Sequence, residues 1–504
     1  MNSAITASES ERFRGAIARC MGLHFDDSRL DFLAEVLRRR MESTGRTSEA
    51  YLDLLDDEPA AGEVSQLAQE LTVGETYFFR NSEQFRAFCE IALPQRMQAR
   101  AGVRRLHLLS AGCASGEEPY SLAMLARERV PDPAWEVSVQ GLDINPAALA
   151  RARRGRFSSW SLRETTPEVQ RRWFRSDGRE FVLDESIRSA VRFEERNLTV
   201  ADPGWWPAEY YDVVFCRNML MYLTPEHAQR VVERIAGAMA PDGYLFLGHA
   251  ETLRGLSRDF HLCQTHGTFY YQRKKAGEPQ ARWPEGGRQT PPMPAPLAGL
   301  VAGSYGWVEA IERASQRIHT LTRPAPAMTS SAPSPASARA DLGAVIEMLQ
   351  RERFGEALGL VEGLPGGAGR DPDVLLLRAV LLIHSGQPRE AERFCQALLE
   401  IDELNAEAHY VLALCREGEG DAQGAIDHDA MAAYLDRTFA MPHLHLGLIT
   451  RKRGDHQTAR RELDQAMSLL QRENPARLLL FGGGFGRESL MAVCRAELAI
   501  CGGG

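Results

Sequence analysis

Several features that would decide a protein class outright are missing from this sequence. It has no uninterrupted apolar run of about 18 residues, so a membrane-spanning helix is not expected. Its nine cysteines are scattered and odd in number, with no CxxC pair. That excludes a disulfide framework and a cysteine zinc site, and it points to reduced thiols in a cytoplasm. No metal site is expected. A surplus of positive charge is absent too: the formal net charge is −9, which argues against a dedicated nucleic-acid binder. The opening Met1-Asn2-Ser3-Ala4-Ile5-Thr6 lacks the charged-then-apolar layout of a secretory signal.

What is present suffices for real cores: 504 residues, 44% of them hydrophobic, the scale of about two to four domains. Residues from about 10 to 90 read as helices, with an apolar stripe at Phe32, Leu33, Val36 and Leu37 followed by Arg38, Arg39, Arg40 and Arg46. Those arginines either grip an acidic protein surface or sit at a solvated helix end where the dipole favours cations. The linker Leu71 to Arg80 combines a Gly, a Thr, three consecutive aromatics and an Arg. Its aromatics either cover a ligand of the following domain or pack a corner between helices.

The centre of the chain is Leu108-Leu109-Ser110-Ala111-Gly112-Cys113-Ala114-Ser115-Gly116-Glu117-Glu118-Pro119-Tyr120-Ser121. A buried strand runs into a two-glycine turn and then a helix from Tyr120 to Val130, with Pro119 tolerated in the first turn. Such a unit lets backbone approach a nucleotide-like ligand closely. The missing third glycine and the Glu117-Glu118 pair disfavour a pyrophosphate and suit a cationic or zwitterionic ligand. Candidate strands continue at Val137–Leu142, Val191–Glu195, Asp212–Cys216 and Tyr244–Gly248, the signature of a mostly parallel α/β sheet. Polar residues stand at the strand ends, where such sheets bind ligands. Asp143 suits two ribose hydroxyls, Asn197-Leu198 an adenine edge, and Arg217-Asn218 follows the fourth strand with Tyr222 one turn on. Aromatic-rich residues from about 153 to 192 interrupt the alternation and read as a small inserted subdomain.

Ten of the 26 prolines fall in 276–340, a semi-extended linker; within it, Trp307 to Leu321 reads as a short amphipathic helix. Beyond it, Ala357, Ala391, Ala425 and Ala459 stand 34 residues apart, as do Gly386, Gly420 and Gly454. That period marks tetratricopeptide hairpins, three well formed and a weaker first one, capped by a helix over Ser489–Ile500. Leu375, Leu382, Cys395 and Glu403 occupy places where the repeat usually carries aromatics and a proline.

Together, four motifs resemble the CheR-type chemotaxis receptor methyltransferases. They are Thr72-Val73-Gly74-Glu75-Thr76-Tyr77-Phe78-Phe79-Arg80, Gly112 to Ser121, Phe215-Cys216-Arg217-Asn218 and Gly248-His249-Ala250-Glu251. The repeats resemble the subgroup that fuses this enzyme to a tetratricopeptide domain. The fold implied is a Rossmann-like class I methyltransferase with an N-terminal helical domain, a small β-subdomain insertion and a C-terminal all-α repeat solenoid. The division expected is 1–90 helical, 91–275 methyltransferase with the insert at about 153–192, 276–340 linker and 341–504 repeats.

The resemblance further implies S-adenosyl-L-methionine as methyl donor, S-adenosyl-L-homocysteine as product and chemoreceptor glutamates as acceptors. By position, Gly74, Thr76, Arg80, Gly112, Glu117, Asp143, Asn197, Leu198, Arg217 and Asn218 would hold the donor. Arg80 and Tyr222 would orient the acceptor carboxylate, and Arg38, Arg39, Arg40 and Arg46 would meet the receptor's cytoplasmic helices. The repeat domain would take a protein or peptide partner. A glutamate is already ionised at neutral pH, so the chemistry needs no general base, and His227 and His249 are expected to be structural. Two further readings are a methyltransferase aimed at another protein carboxylate, and a docking scaffold with weak or regulatory catalysis.

Overall fold

Thr6 and Glu9 close a reciprocal capping box at the head of α1 (Ala7–Met21), and Gly22 ends that helix in a left-handed conformation. The computed structural model describes residues 5–57, 61–202, 204–275, 357–359, 361, 371–482 and 485–501. Helices α2 (Leu30–Thr44), α3 (Ser48–Asp56) and α4 (Ala61–Leu71) complete an N-terminal bundle. Leu33, Val36 and Leu37, three of the four stripe residues, pack in it with Phe13, Ile17, Tyr51 and Leu52.

Two short helices, α5 (Ser82–Ala87) and α6 (Leu93–Ala99), lead into the sheet. Its order is β6-β2-β1-β7-β8-β10-β9. The strands are β1 (Arg105–Ala111), β2 (Glu136–Asp143), β6 (Val191–Glu195), β7 (Tyr211–Cys216), β8 (Met239–Leu247), β9 (Phe260–Thr265) and β10 (Thr268–Arg273). The first five named run parallel to one another. The hairpin β9–β10 adds an antiparallel edge, which the alternation of strand and helix signals did not separate from the parallel part. Chain order reverses between β1 and β7, so the crevice beyond their carboxyl ends is the natural ligand site. Helices α7 (Glu117–Arg129) and α8 (Pro146–Arg154) follow β1 and β2. The insertion is a three-stranded antiparallel sheet of β3 (Arg156–Ser158), β4 (Phe174–Asp177) and β5 (Glu180–Leu183), carrying α9 (Pro167–Trp173) and α10 (Glu185–Arg188). Helix α11 (Pro225–Ala238) joins β7 to β8.

Residue contacts divide the chain into two compact units, Met1–Glu278 and Pro279–Gly504. In the second, the first helices of three hairpins, α12 (Pro372–His384), α14 (Ala406–Gly418) and α16 (Ala440–Lys452), start 34 residues apart. Their partners are α13 (Pro388–Ile401), α15 (Ala422–Leu435) and α17 (His456–Leu470). The period has two physical causes. Gly386, Gly420 and Gly454 turn each hairpin at φ 75°, 83° and 82°, a conformation that costs other residues strain. Ala391, Ala425 and Ala459 are fully buried where paired helices touch. Leu375, Leu382 and Cys395 are buried in place of the usual aromatics. The capping helix is α19 (Arg487–Cys501), and a short helix, α18 (Pro475–Phe481), precedes it unforeseen. The linker, its Trp307 to Leu321 patch and most of the weak first repeat lie outside the described residues.

In the second unit, His445 sits in a buried charged cluster. His445 Nδ1 lies 2.6 Å from Asp429 and Nε2 2.9 Å from Glu417. Burial works to lower the His445 pKa, but the Asp429 charge and both hydrogen bonds push it up to about 9. The folded value exceeds the ordinary 6.5. The imidazolium therefore contributes stability fully present below pH 6.5 and lost as pH rises through about 9. Thermal unfolding at pH 7 and about pH 10 should show the advantage of wild type over His445→Gln shrinking at the higher pH. An unchanged difference would refute the assignment.

Candidate functional site

A cavity of about 540 Å3 opens beyond the carboxyl ends of the parallel strands, walled on its other side by the N-terminal helices. Asp143 ends β2 at its wall. One carboxylate oxygen accepts from the Ala114 N–H at 2.8 Å and the other from the Asn145 N–H at 2.8 Å. The acid therefore fixes the glycine turn and keeps lone pairs for a ligand's hydroxyls. Burial pushes its pKa up. Gly112 has φ 78° and faces Met219, whose Cβ would be 3.3 Å from a Cβ there; a side chain at 112 would narrow the cavity. Ala114 and Asn218 also take positive φ, 46° and 54°, strain that persists only where the surroundings hold it.

Below Asn218 lies a carboxylate to which the sequence motif assigned no role. Glu251 is 5% exposed; one oxygen accepts from Asn218 N–H (2.6 Å) and Gly248 N–H (2.7 Å), the other from Met221 N–H at 3.2 Å. It thereby shapes the turn from Asn218 to Tyr222. Gly248 is required beside it, since a Cβ there would lie 2.7 Å from Asn218 N. Glu251 was visible only as part of the Gly248-His249-Ala250-Glu251 motif; two of its three partners, Asn218 and Met221, lie 33 and 30 residues away.

Asn197, Leu198, Asn218 and Tyr222 line the cavity with Gly112 and Asp143. Asn197 is also tied to the helical domain. Its amide donates to Cys20 O at 2.8 Å, and its oxygen accepts from Thr199 N–H and Oγ1. The side chain thereby clamps α1 to the sheet at the cavity wall. That clamp continues as a two-residue bridge between Leu23 and Leu223. His24 N–H donates to Tyr222 O at 2.8 Å and Thr224 N–H to Gly22 O at 2.8 Å. Tyr222 stands at the rim, 41% exposed. Gly22→Ala should disrupt this junction, because its Cβ would sit 2.6 Å from Thr199 Cγ2 at φ +70°. The expected outcome is a several-fold weaker donor affinity in calorimetry, with melting lowered as well by the strain; unchanged affinity would refute the coupling.

Five other predicted residues do not line this cavity: Gly74, Thr76, Arg80, Glu117 and Arg217. Gly74 and Arg217 adjoin it as chain neighbours of the lining residues Val73 and Asn218. Arg217 is buried, paired with Glu118 at 3.0 Å, and donates to Arg80 O (2.6 Å) and Gln84 Oε1 (3.0 Å). It is a strut that holds Arg80. Glu118 accepts from Ser110 Oγ at 2.7 Å; burial pushes its pKa up and that of Arg217 down, with their mutual attraction opposing both. Glu117 accepts from Ser115 and, across the insertion, from Ser161. Gly74 lies against Arg151, and Thr76 is half-buried.

The linker aromatics serve the core. Phe78 is fully buried, edge-on to Phe157 (4.8 Å) and Phe174 (5.0 Å) of the insertion. Only Tyr77 carries cations, with Arg163 at 3.6 Å and Arg80 at 5.7 Å from its ring. His227 bonds Thr224 and His249 is exposed; neither lines the cavity. Among the arginines after the helical stripe, Arg40 is a correction. It is 8% exposed and bidentate to Glu63 at 2.9 and 2.8 Å, so it holds α2 to α4 and is unavailable to a partner. Arg38 pairs with Glu35 and Glu42, Arg39 with Glu35 and Glu70; Arg46 is exposed.

The model of the family described as CheR methyltransferase, SAM binding domain, matches residues 74–269. The chain is 30% identical over 465 residues to a "Probable biofilm formation methyltransferase WspC" of Pseudomonas putida, covering 90% of this chain and 97% of that one. Its counterpart of that name in Pseudomonas aeruginosa is 29% identical over 463 residues, with the same coverage. A "Chemotaxis protein methyltransferase 2" of Vibrio cholerae is 32% identical over 280 residues, 54% of this chain and 95% of that one. Among the described residues, no helix is long and apolar enough to cross a membrane.

Proposed function

The chain belongs to the CheR methyltransferase family and is an S-adenosyl-L-methionine-dependent methyltransferase of chemotaxis or related signalling; on that footing we propose that it esterifies glutamate side chains of chemoreceptors. The observation that carries this reading is the Asp143 carboxylate facing a cavity of about 540 Å3 at the switch between β1 and β7. That volume suits a nucleoside-sized ligand. The lining combines the Asp143 carboxylate, fit for ribose hydroxyls, with apolar Ile144, Leu198 and Met219 fit for a base.

When bound, S-adenosyl-L-methionine supplies a methyl group activated by a sulfonium. In this reading Asp143 and Gly112 hold the ribose end, and Leu198 packs on the base. Gly74, Thr76, Arg80 and Glu117 hold the amino-acid end, with Arg217 behind them. Tyr222 at the rim and Arg80 orient the acceptor carboxylate. That carboxylate is ionised at neutral pH, so what the residues supply is alignment and exclusion of water rather than proton transfer. Arg38, Arg39 and Arg46 offer cations to an acidic receptor helix, residues 1–90 forming the contacting domain, 91–275 the catalytic one and 341–504 a docking domain reached through 276–340. Of the relatives above, those aligned across the repeats bear the biofilm name. A receptor of a pathway that controls biofilm formation is accordingly the acceptor to try first.

The test is transfer of labelled methyl from the donor to a panel of receptor cytoplasmic fragments. Base-labile label, lost when receptor glutamates become alanine, is expected. Base-stable label, or none on any receptor, would overturn the acceptor assignment.

A further inference from the structure

The repeat array closes in an unusual way. A fourth first helix in the register of 372, 406 and 440 would begin beside residue 474, and α18 starts there but ends after seven residues. The place against α16 and α17 goes to α19 instead, with Arg451 paired to Glu497. Helix α18 lies back across the first helices of the earlier hairpins. His384 of α12 is 3.0 Å from Leu480 O, and the Tyr410 hydroxyl of α14 donates to Phe481 O at 3.4 Å. The Phe481 ring lies 5.8 Å from Tyr410 and 5.2 Å from Phe439. First helices line the inner surface on which repeat arrays seat their partners.

What occupies that surface has the chemistry of a ligand. Arg477, 6% exposed, enters a pocket of three carboxylates: Glu407 at 2.7 Å, Asp436 at 2.6 Å and Glu473 at 3.7 Å, with its guanidinium 4.1 Å over Phe439. Glu473 also accepts from the Ala440 N–H at 2.8 Å, which ties that acid to α16. Leu478, Leu480 and Phe481 are buried beside it. Arginine and phenylalanine four positions apart on a helix share one face.

We propose that Pro475–Phe481 is an internal plug in a peptide-recognition site. The partner that displaces it is a short amphipathic helix with an arginine and, four residues on, a phenylalanine. The arginine enters the pocket of Glu407, Asp436 and Glu473, and the phenylalanine lies between Tyr410 and Phe439. This rests on the reading of the repeats as a docking domain. It is independent of methyl transfer.

The experiment uses the full chain, with the doubly substituted Arg477→Ala, Phe481→Ala form as the released variant. The probe is a fluorescent peptide of the sequence Asn474–Gly482, alongside versions with its arginine or phenylalanine replaced by alanine. Anisotropy should show the released variant binding the peptide about ten-fold or more tighter than wild type, and each altered peptide about ten-fold more weakly. Glu407→Gln added to the released variant should weaken binding similarly. Equal binding of all three peptides overturns the proposed chemistry and leaves the docking reading standing; binding of none, by a variant that still melts normally, overturns both. Should the released variant not fold, hydrogen exchange in wild type decides. Amides of α18 exchanging well ahead of those of α14 and α16 support the plug, and exchange in step with them overturns it.

Discussion

Asp143→Ala is expected to weaken donor binding about a hundred-fold or more. A carboxylate accepting hydroxyl hydrogen bonds contributes about 1.5–3 kcal/mol for each, and two such bonds are at stake in the proposed ribose contact. The substitution also strips acceptors from the Ala114 and Asn145 N–H groups, so the glycine turn loses the tie that holds Ala114 at φ 46°. Both effects act on binding before any chemistry. Calorimetric titration with S-adenosyl-L-methionine measures the loss directly, with thermal unfolding to show that the sheet survives. Asp143→Asn should fall between wild type and alanine, because the amide keeps one acceptor and presents a donor where an acceptor is needed. Affinity within about three-fold of wild type in the alanine variant would remove Asp143 from the donor site.

Glu251→Ala should act mainly on turnover. Its carboxylate holds three backbone N–H groups, two of them in the turn that carries Asn218 and Tyr222. Losing it leaves buried donors unsatisfied, at about 1–3 kcal/mol each, and frees a turn whose Asn218 is held at φ 54°. Displacement of an orienting group by about 1 Å can lower a rate about a hundred-fold, and a kcat loss of that order is expected. Donor affinity should fall less, because Asp143 and the glycine turn stand on other strands. The measurement pairs single-turnover methyl transfer with calorimetry on the same preparation, and melting will fall as well. A variant losing stability alone, with kcat intact at a temperature where it is folded, would reduce Glu251 to a structural residue.

Both predictions concern residues whose visibility in the sequence differed. Asp143 was legible because a strand pattern and its end can be read locally, and polar residues at four strand ends together marked the edge where such sheets bind ligands. Glu251 lacked such a signal: its partners Asn218 and Met221 lie on another segment, and only folding brings them within hydrogen-bonding distance. Asn197 and Arg40 show the converse. Each stands where a functional side chain belongs by position, yet each spends its polar groups on a neighbouring element, Cys20 O in one case and Glu63 in the other. The aromatics at 77–79 divided likewise, Phe78 going to the insertion's core and Tyr77 to two arginines.

Periodicity and short motifs determined, without coordinates, the parallel sheet, the glycine turn, the inserted subdomain and the 34-residue hairpins. These depend on interactions between residues near in the chain, or on a spacing repeated along it. Tertiary structure alone decided which polar side chains face the cavity and which are consumed as struts. It also decided that α18 folds back over α12 and α14 instead of continuing the stack. Those outcomes turn on competition between distant partners for the same donors and acceptors, and a linear pattern carries no record of which partner wins.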